Sequence, residues 1–258
     1  MNYIECWIKF NLAVREIFMT KKISVIAIIP ARGGSKGIPG KNTKIISGKP
    51  LIAHTILEAG KVSLIDRIIV NTDDDSIARV AKEYGAEVFK RPAKLAGDLT
   101  LDLEVFEHHL KSLKDSGELP DIVVDLRATA PLRKANRIEQ GIKLLIETGR
   151  TKADSVRAVS KTMKHPFKMW TIKGKFISPF LPQEFTRMKE PYNAARQLLP
   201  EVYQNNGCAN AFWPETVLVK KSMTGEKILG FVMDDWESVN IDTPLDFIIA
   251  EKLMEIHK

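Results

Sequence analysis

Residues 23–29 (ISVIAII) run straight into a loop of glycines and cations, residues 31–42 (ARGGSKGIPGKN), and few folds accommodate that junction. The run is short and rich in β-branched side chains, the pattern of a parallel strand buried on both faces. In an open α/β sheet ligands bind beyond the carboxyl ends of the strands, which is where the loop must lie. Gly33, Gly34, Gly37 and Gly40 let the backbone approach a ligand and turn its amides inward. Arg32, Lys36 and Lys41 add cations that offset the charge of a polyphosphate. A flexible basic surface turn is the weaker alternative. Neither GxxxxGK[ST] nor GxGxxG is present, which argues against a P-loop hydrolase and against a dinucleotide-binding oxidoreductase.

Downstream, strand and helix patterns alternate at short intervals. Helices are expected at 51–59, 76–84, 103–113 and 135–147, and strands at 67–71, 86–89, 122–126 and 155–159. This alternation predicts an α/β fold, a mostly parallel sheet with helices on both faces. The rhythm breaks near residue 162. Residues 169–180 read as a hairpin turning at Lys173–Gly174, and about 162–200 as an inserted β-rich arm. A late strand at 228–232 and a closing helix at 244–256, with Pro244 in its first turn, complete the pattern. The hairpin is too small to bury Trp170, Phe176 and Phe180 itself, so the arm is expected to mediate a homodimer.

The 258 residues suit one domain (23–258) preceded by an N-terminal extension (1–22). The net charge of +7 comes from lysines and arginines spread along the chain, which fits anionic small molecules better than nucleic acid. Glu5, Lys9, Arg15 and Glu16 interrupt the apolar extension, leaving neither a signal-peptide core nor a membrane span. Cys6 and Cys208 form no disulfide framework and no metal-binding spacing, so a cytoplasmic protein is expected. The five histidines suggest no catalytic base. His54 falls on the first helix, His108 and His109 are expected at the surface or half-buried, His165 lies in the arm, and His257 is at the chain end.

Ordered short motifs extend the pattern: NTDD (71–74), YGA (84–86), RP (91–92), LAGD (95–98), TAPLR (129–133), HPFK (165–168), ARQ (195–197), NG (206–207) and IDTP (241–244). Together with the loop they resemble the acylneuraminate cytidylyltransferase family, a GT-A-like (Rossmann-like) α/β family that makes CMP-sugars. The resemblance covers residue 23 to the C-terminus. It implies that Arg32, Gly33, Ser35, Lys36 and Lys41 meet the triphosphate, and that Asn42 and Arg91 lie near base and ribose. It places Asp242 on Mg²⁺ (or Mn²⁺) and Arg127, Thr129, Lys168 and Arg196 on the sugar acid. Arg32, Lys36 and Asp242 would carry catalysis. The same IDTP stretch also reads as a helix cap through Thr243. The sequence departs from the family at Arg127, usually glutamine, at Asn240, often a second aspartate, and at Asn210, often tyrosine.

The implied reaction joins CTP to a nonulosonic acid of neuraminic, legionaminic or pseudaminic type, releasing pyrophosphate. A relative using 3-deoxy-octulosonate or GTP, or a catalytically silent nucleotide binder, are the alternatives.

Overall fold

A computed structural model describes residues 22–257 apart from residue 163; the N-terminal extension, Cys6 included, falls outside the described residues except for Lys22. In chain order come β1 (Val25–Pro30), the short β2 (Ile45–Ile46) and β3 (Lys49–Pro50), α1 (Leu51–Gly60), β4 (Arg67–Thr72) and α2 (Asp75–Glu83). These are followed by β5 (Glu87–Lys90), α3 (Asp102–Asp115), β6 (Ile122–Asp125), α4 (Ala135–Thr148) and β7 (Ser155–Lys161). The arm contributes β8 (Trp170–Lys173), β9 (Phe176–Pro179) and α5 (Gln183–Thr186). The chain then returns through β10 (Tyr203–Phe212), α6 (Pro214–Leu218), β11 (Ile228–Val232) and α7 (Pro244–Ile256).

Seven strands form one sheet in the order β11-β7-β10-β6-β1-β4-β5. Every neighbouring pair is parallel except those made by β10, which runs antiparallel to both β6 and β7. The expected mostly parallel sheet is therefore present, with one reversed strand that the alternating pattern does not announce. Period-two alternation in β1 explains why its sequence is apolar throughout. Val25, Ala27 and Ile29 pack with Ile52 and Ile56 of α1, Ile77 of α2 and Ile138 and Ile142 of α4. Ile26 and Ile28 face the other way, onto Phe106 and Leu110 of α3 and Phe212.

Two local devices set up the site. Asp74 caps α2, its Oδ1 accepting from Ser76 N at 2.8 Å and Ile77 N at 3.0 Å, and the bond from the Ser76 hydroxyl is the main cause holding its carboxyl below the usual range. Thr243 caps α7 reciprocally with Asp246, and Pro244 fills the first helical turn. Asp242 is thereby fixed one residue before the cap. A third apolar cluster joins Ile38 and Ile46 to Ile241, Phe247 and Ala250, binding the glycine loop to the start of α7.

The arm leaves the sheet after β7 and returns at β10. Its hairpin, β8 with β9, turns at Gly174 and exposes every residue of both strands. Among the described residues no helix is long and apolar enough to cross a membrane.

Candidate active site

A cleft of about 1010 Å³ opens at the carboxyl edge of the sheet. The loop after β1 supplies Arg32, Ser35, Lys36, Gly37, Lys41 and Asn42 to its wall; Arg91, Arg127, Thr129 and Asp242, also named from sequence, line it too. Gly33 does not line the cleft: its amide donates to Asp73 Oδ1 at 3.1 Å, and a Cβ there would meet the Asp74 carboxylate at 2.7 Å. Its small size therefore serves packing of the loop on the α2 cap. Gly37 has a different constraint, because a Cβ at that position would collide with the Asp242 carbonyl oxygen. Only glycine lets the loop approach the start of α7 so closely.

The cations of the loop are held by carboxylates. Arg32 Nη1 lies 2.7 Å and Lys36 Nζ 2.5 Å from the two oxygens of Asp98. Those bonds, from Lys36 first, hold the Asp98 carboxyl below its ordinary range. Lys41 Nζ donates to the Ile241 carbonyl at 2.7 Å and stands 3.2 Å from Asp242 Oδ1. The loop and Asp242 are thus joined across 201 positions of sequence. Asn240 Nδ2 donates to the other oxygen, Asp242 Oδ2, at 2.7 Å, so the residue that replaces a second aspartate orients the first.

Arg91 is buried, and burial pushes its guanidinium pKa down. It is positioned by Asn71: Nε donates to the side-chain oxygen at 2.7 Å and Nη2 to the carbonyl at 3.0 Å. Asn71 Nδ2 in turn donates to His109 Nδ1 at 3.2 Å, and His109 stacks on Phe89 with ring centroids 3.9 Å apart. His109 is fully buried, a correction to its expected surface or half-buried place. With Val105, Phe106, Leu110 and Leu113 it lies on the buried stripe of α3, and that spacing was the available signal.

Arg127 is the departure that the structure accounts for most fully. Its guanidinium is paired with Asp102, Nη1 to Oδ1 at 3.3 Å, and its Nε lies 3.5 Å from Asp125 Oδ1. Asp125 first, with Asp102, pushes its pKa further up. The extra charge is therefore balanced within the fold. Lys168 and Arg196 do not line the cleft. Lys168 Nζ donates to the Ala194 carbonyl at 2.6 Å inside the arm, and Arg196 is exposed.

Several cleft residues carried no sequence assignment. Arg157 and Ser160 of β7 and Asn205, Asn206 and Asn210 of β10 face it. Gly207, with φ of 64°, marks the shift in strand register between Asn205 and Asn210 that turns these amides toward the cleft. Cys208 is buried behind it, its thiol pushed up to about 11 by burial, as suits a packing residue.

For a divalent metal the protein offers Asp242, with Asp235 and Asp246 on the same wall; no group of three or more His, Cys, Asp or Glu among the described residues is placed to hold one. One exposed carboxylate beside a cation-rich loop fits Mg²⁺ taking its other ligands from phosphates and water, and does not fit a protein-only cage.

Residues 26–175 match the family model described as Cytidylyltransferase. The chain belongs to this family. It is 34% identical over 241 residues to the CMP-N,N'-diacetyllegionaminic acid synthase of Legionella pneumophila, covering 91% of this chain and 97% of that protein. It is 30% identical over 229 residues to the N-acylneuraminate cytidylyltransferase of Escherichia coli, covering 89% of this chain and 52% of the other. The fold is also that of a CMP:2-keto-3-deoxy-manno-octonic acid synthetase solved with CTP, with a TM-score of 0.67 at 16% identity, covering 91% of this chain and all of the other.

Proposed function

We propose that this cytidylyltransferase joins CTP to a nonulosonic acid, most suitably one of the N,N'-diacetyllegionaminic type, releasing pyrophosphate. The observation that carries the reading is the meeting of Arg32, Lys36 and Lys41 with Asp242 on one wall of one cleft. The relatives' names supply the sugar class.

In this reading the sugar's anomeric hydroxyl attacks the α-phosphorus in line and gives up its proton to water, the bond from the α-phosphorus to the bridging oxygen breaks, and pyrophosphate leaves. The chain's part is positioning and charge balance. Arg32 and Lys36 exchange Asp98 for phosphate oxygens, so the charge gathering on pyrophosphate meets cations already in place. Arg91, buried and held by Asn71, presents fixed donors to the nucleoside. Asp242, oriented by Asn240 and Lys41, would hold Mg²⁺ (or Mn²⁺), which when bound neutralises phosphate charge and lowers the pKa of an oxygen it contacts.

We also infer a homodimer working in the cytoplasm. Phe176 is 71% exposed, Ile172 76% and Phe180 56%, more apolar area than a solitary hairpin presents to water. Lys168 and Arg196, outside their own cleft, would then serve a second copy's sugar acid, Lys168 exchanging the Ala194 carbonyl for it.

The test is pyrophosphate release across CTP and GTP and across neuraminic, legionaminic, pseudaminic and 3-deoxy-octulosonic acids. Asp242→Asn is expected to lower kcat by about 100-fold or more while CTP still binds. Near wild-type release by that variant would overturn the mechanism, and CTP binding without turnover of any acid would overturn the activity.

A further inference from the structure

Beside the cleft lies a smaller chamber of about 330 Å³. It shares Asp102, Arg127, Arg157 and Asn205 with the cleft and is otherwise lined by Asp125, Met223 and Thr224. Two carboxylates and two guanidiniums give it no net charge, so it is built for neither a phosphate nor a bare cation. Its polar groups are incompletely used. Asp125 is fully buried, and its Oδ1 accepts no hydrogen bond; Arg127 Nε is 3.5 Å away. Arg157 Nη2 donates to the Met223 carbonyl at 2.9 Å, but its buried Nε has no acceptor. Asn210, which lines the adjoining cleft and not the chamber, donates to Asp125 Oδ2 at 3.3 Å. Buried polar atoms without partners are rare in native structures, and two on residues that line one hollow point to a ligand group that completes them.

The free groups are complementary. Asp125 Oδ1 accepts, whereas Arg157 Nε donates. A neutral group with one N–H and one carbonyl satisfies both kinds, and Met223 gives an apolar wall for an attached methyl. That description is a secondary amide on an acyl chain.

We propose that the chamber is an acylamide subsite that takes a second N-acyl substituent of the sugar acid, with Asp125 accepting the amide N–H and Arg157 donating to its carbonyl. This rests on the function proposed above and adds a determinant of which acid is used. Arg127, at the mouth, is the residue that joins the two spaces.

The experiment measures kcat/KM for N,N'-diacetyllegionaminic acid and for N-acetylneuraminic acid, which bears one N-acyl group, at saturating CTP. Wild type is expected to favour the diacyl acid. Thr224→Phe, which fills the chamber, is expected to cost about 10- to 100-fold on that acid through KM, with the monoacyl acid within about threefold of wild type. Arg157→Gln should shift the ratio between the two acids in the same direction, and an unchanged KM for CTP shows that each variant is folded. Equal losses on both acids, or no loss on either, would overturn the subsite alone. Absence of product from every nonulosonic acid with the wild-type enzyme would overturn the functional reading and the subsite with it.

Discussion

His109 allows a quantitative test of the network that holds Arg91. Burial, reinforced by the positive potential of His108, Arg67 and Arg91, lowers its pKa to about 3 from an ordinary 6.5. The folded protein therefore keeps the ring neutral while the unfolded chain protonates normally. Stability from this group is complete above the unfolded pKa, falls as pH drops through 6.5, and levels off only near the folded value. Each pH unit in that window costs about 1.4 kcal/mol, so at pH 5, roughly 1.5 units below the unfolded value, the loss is about 2 kcal/mol. Urea unfolding of wild type and His109→Gln at pH 7 and pH 5 isolates the effect. Glutamine does not titrate, yet it keeps an acceptor for Asn71 Nδ2. The variant should lose about 2 kcal/mol less than wild type between the two pH values. Parallel losses in the two proteins would refute the buried neutral imidazole and the anchoring of Asn71 drawn from it.

Lys36→Ala removes one of the two cations on Asp98 and should raise KM for CTP about tenfold or more, measured by pyrophosphate release; an unchanged KM would remove Lys36 from the phosphate site. Phe106→Ala empties a fully buried position between sheet and α3 and should cost about 3–5 kcal/mol, read from urea midpoints with CTP absent. Phe176→Ser on the exposed hairpin should shift light scattering toward the mass of a monomer without altering the protomer's melting temperature. A wild-type protein that already scatters as a monomer at working concentration would end the dimer reading.

The first strand, its loop and the alternation through β7 were legible because each obeys a single rule: apolar runs for buried strands, glycine with cations for a phosphate-binding turn. β10 was not. Its sequence, YQNNGCANAF, breaks the apolar pattern with amides, and those amides, Asn206 and Asn210, are buried because they floor the cleft. Function overrode periodicity there. The β2–β3 hairpin and α6 are too short for any period to show. In the site, Asp98 lay inside a recognised motif without a role, since its partners Arg32 and Lys36 are distant in sequence. Arg157 was visible as a charge in the middle of an otherwise uncharged run, residues 155–159, yet only the sheet's order shows that β7 borders the cleft.

The arm's point of departure has a mechanical consequence. β7 and β10 are paired up to Lys161 and Tyr203, and beyond them Thr162 N still reaches the Val202 carbonyl and His165 Nε2 the Pro200 carbonyl. The root is zipped, so the arm is a stiff lever on the two strands that carry Arg157, Ser160, Asn205 and Asn206. Force on its tip is delivered to the wall that β7 and β10 give the cleft, while the loop after β1 stands on the other side of β6. Whatever holds or moves the exposed hairpin therefore acts on the same pair of strands that shape that wall.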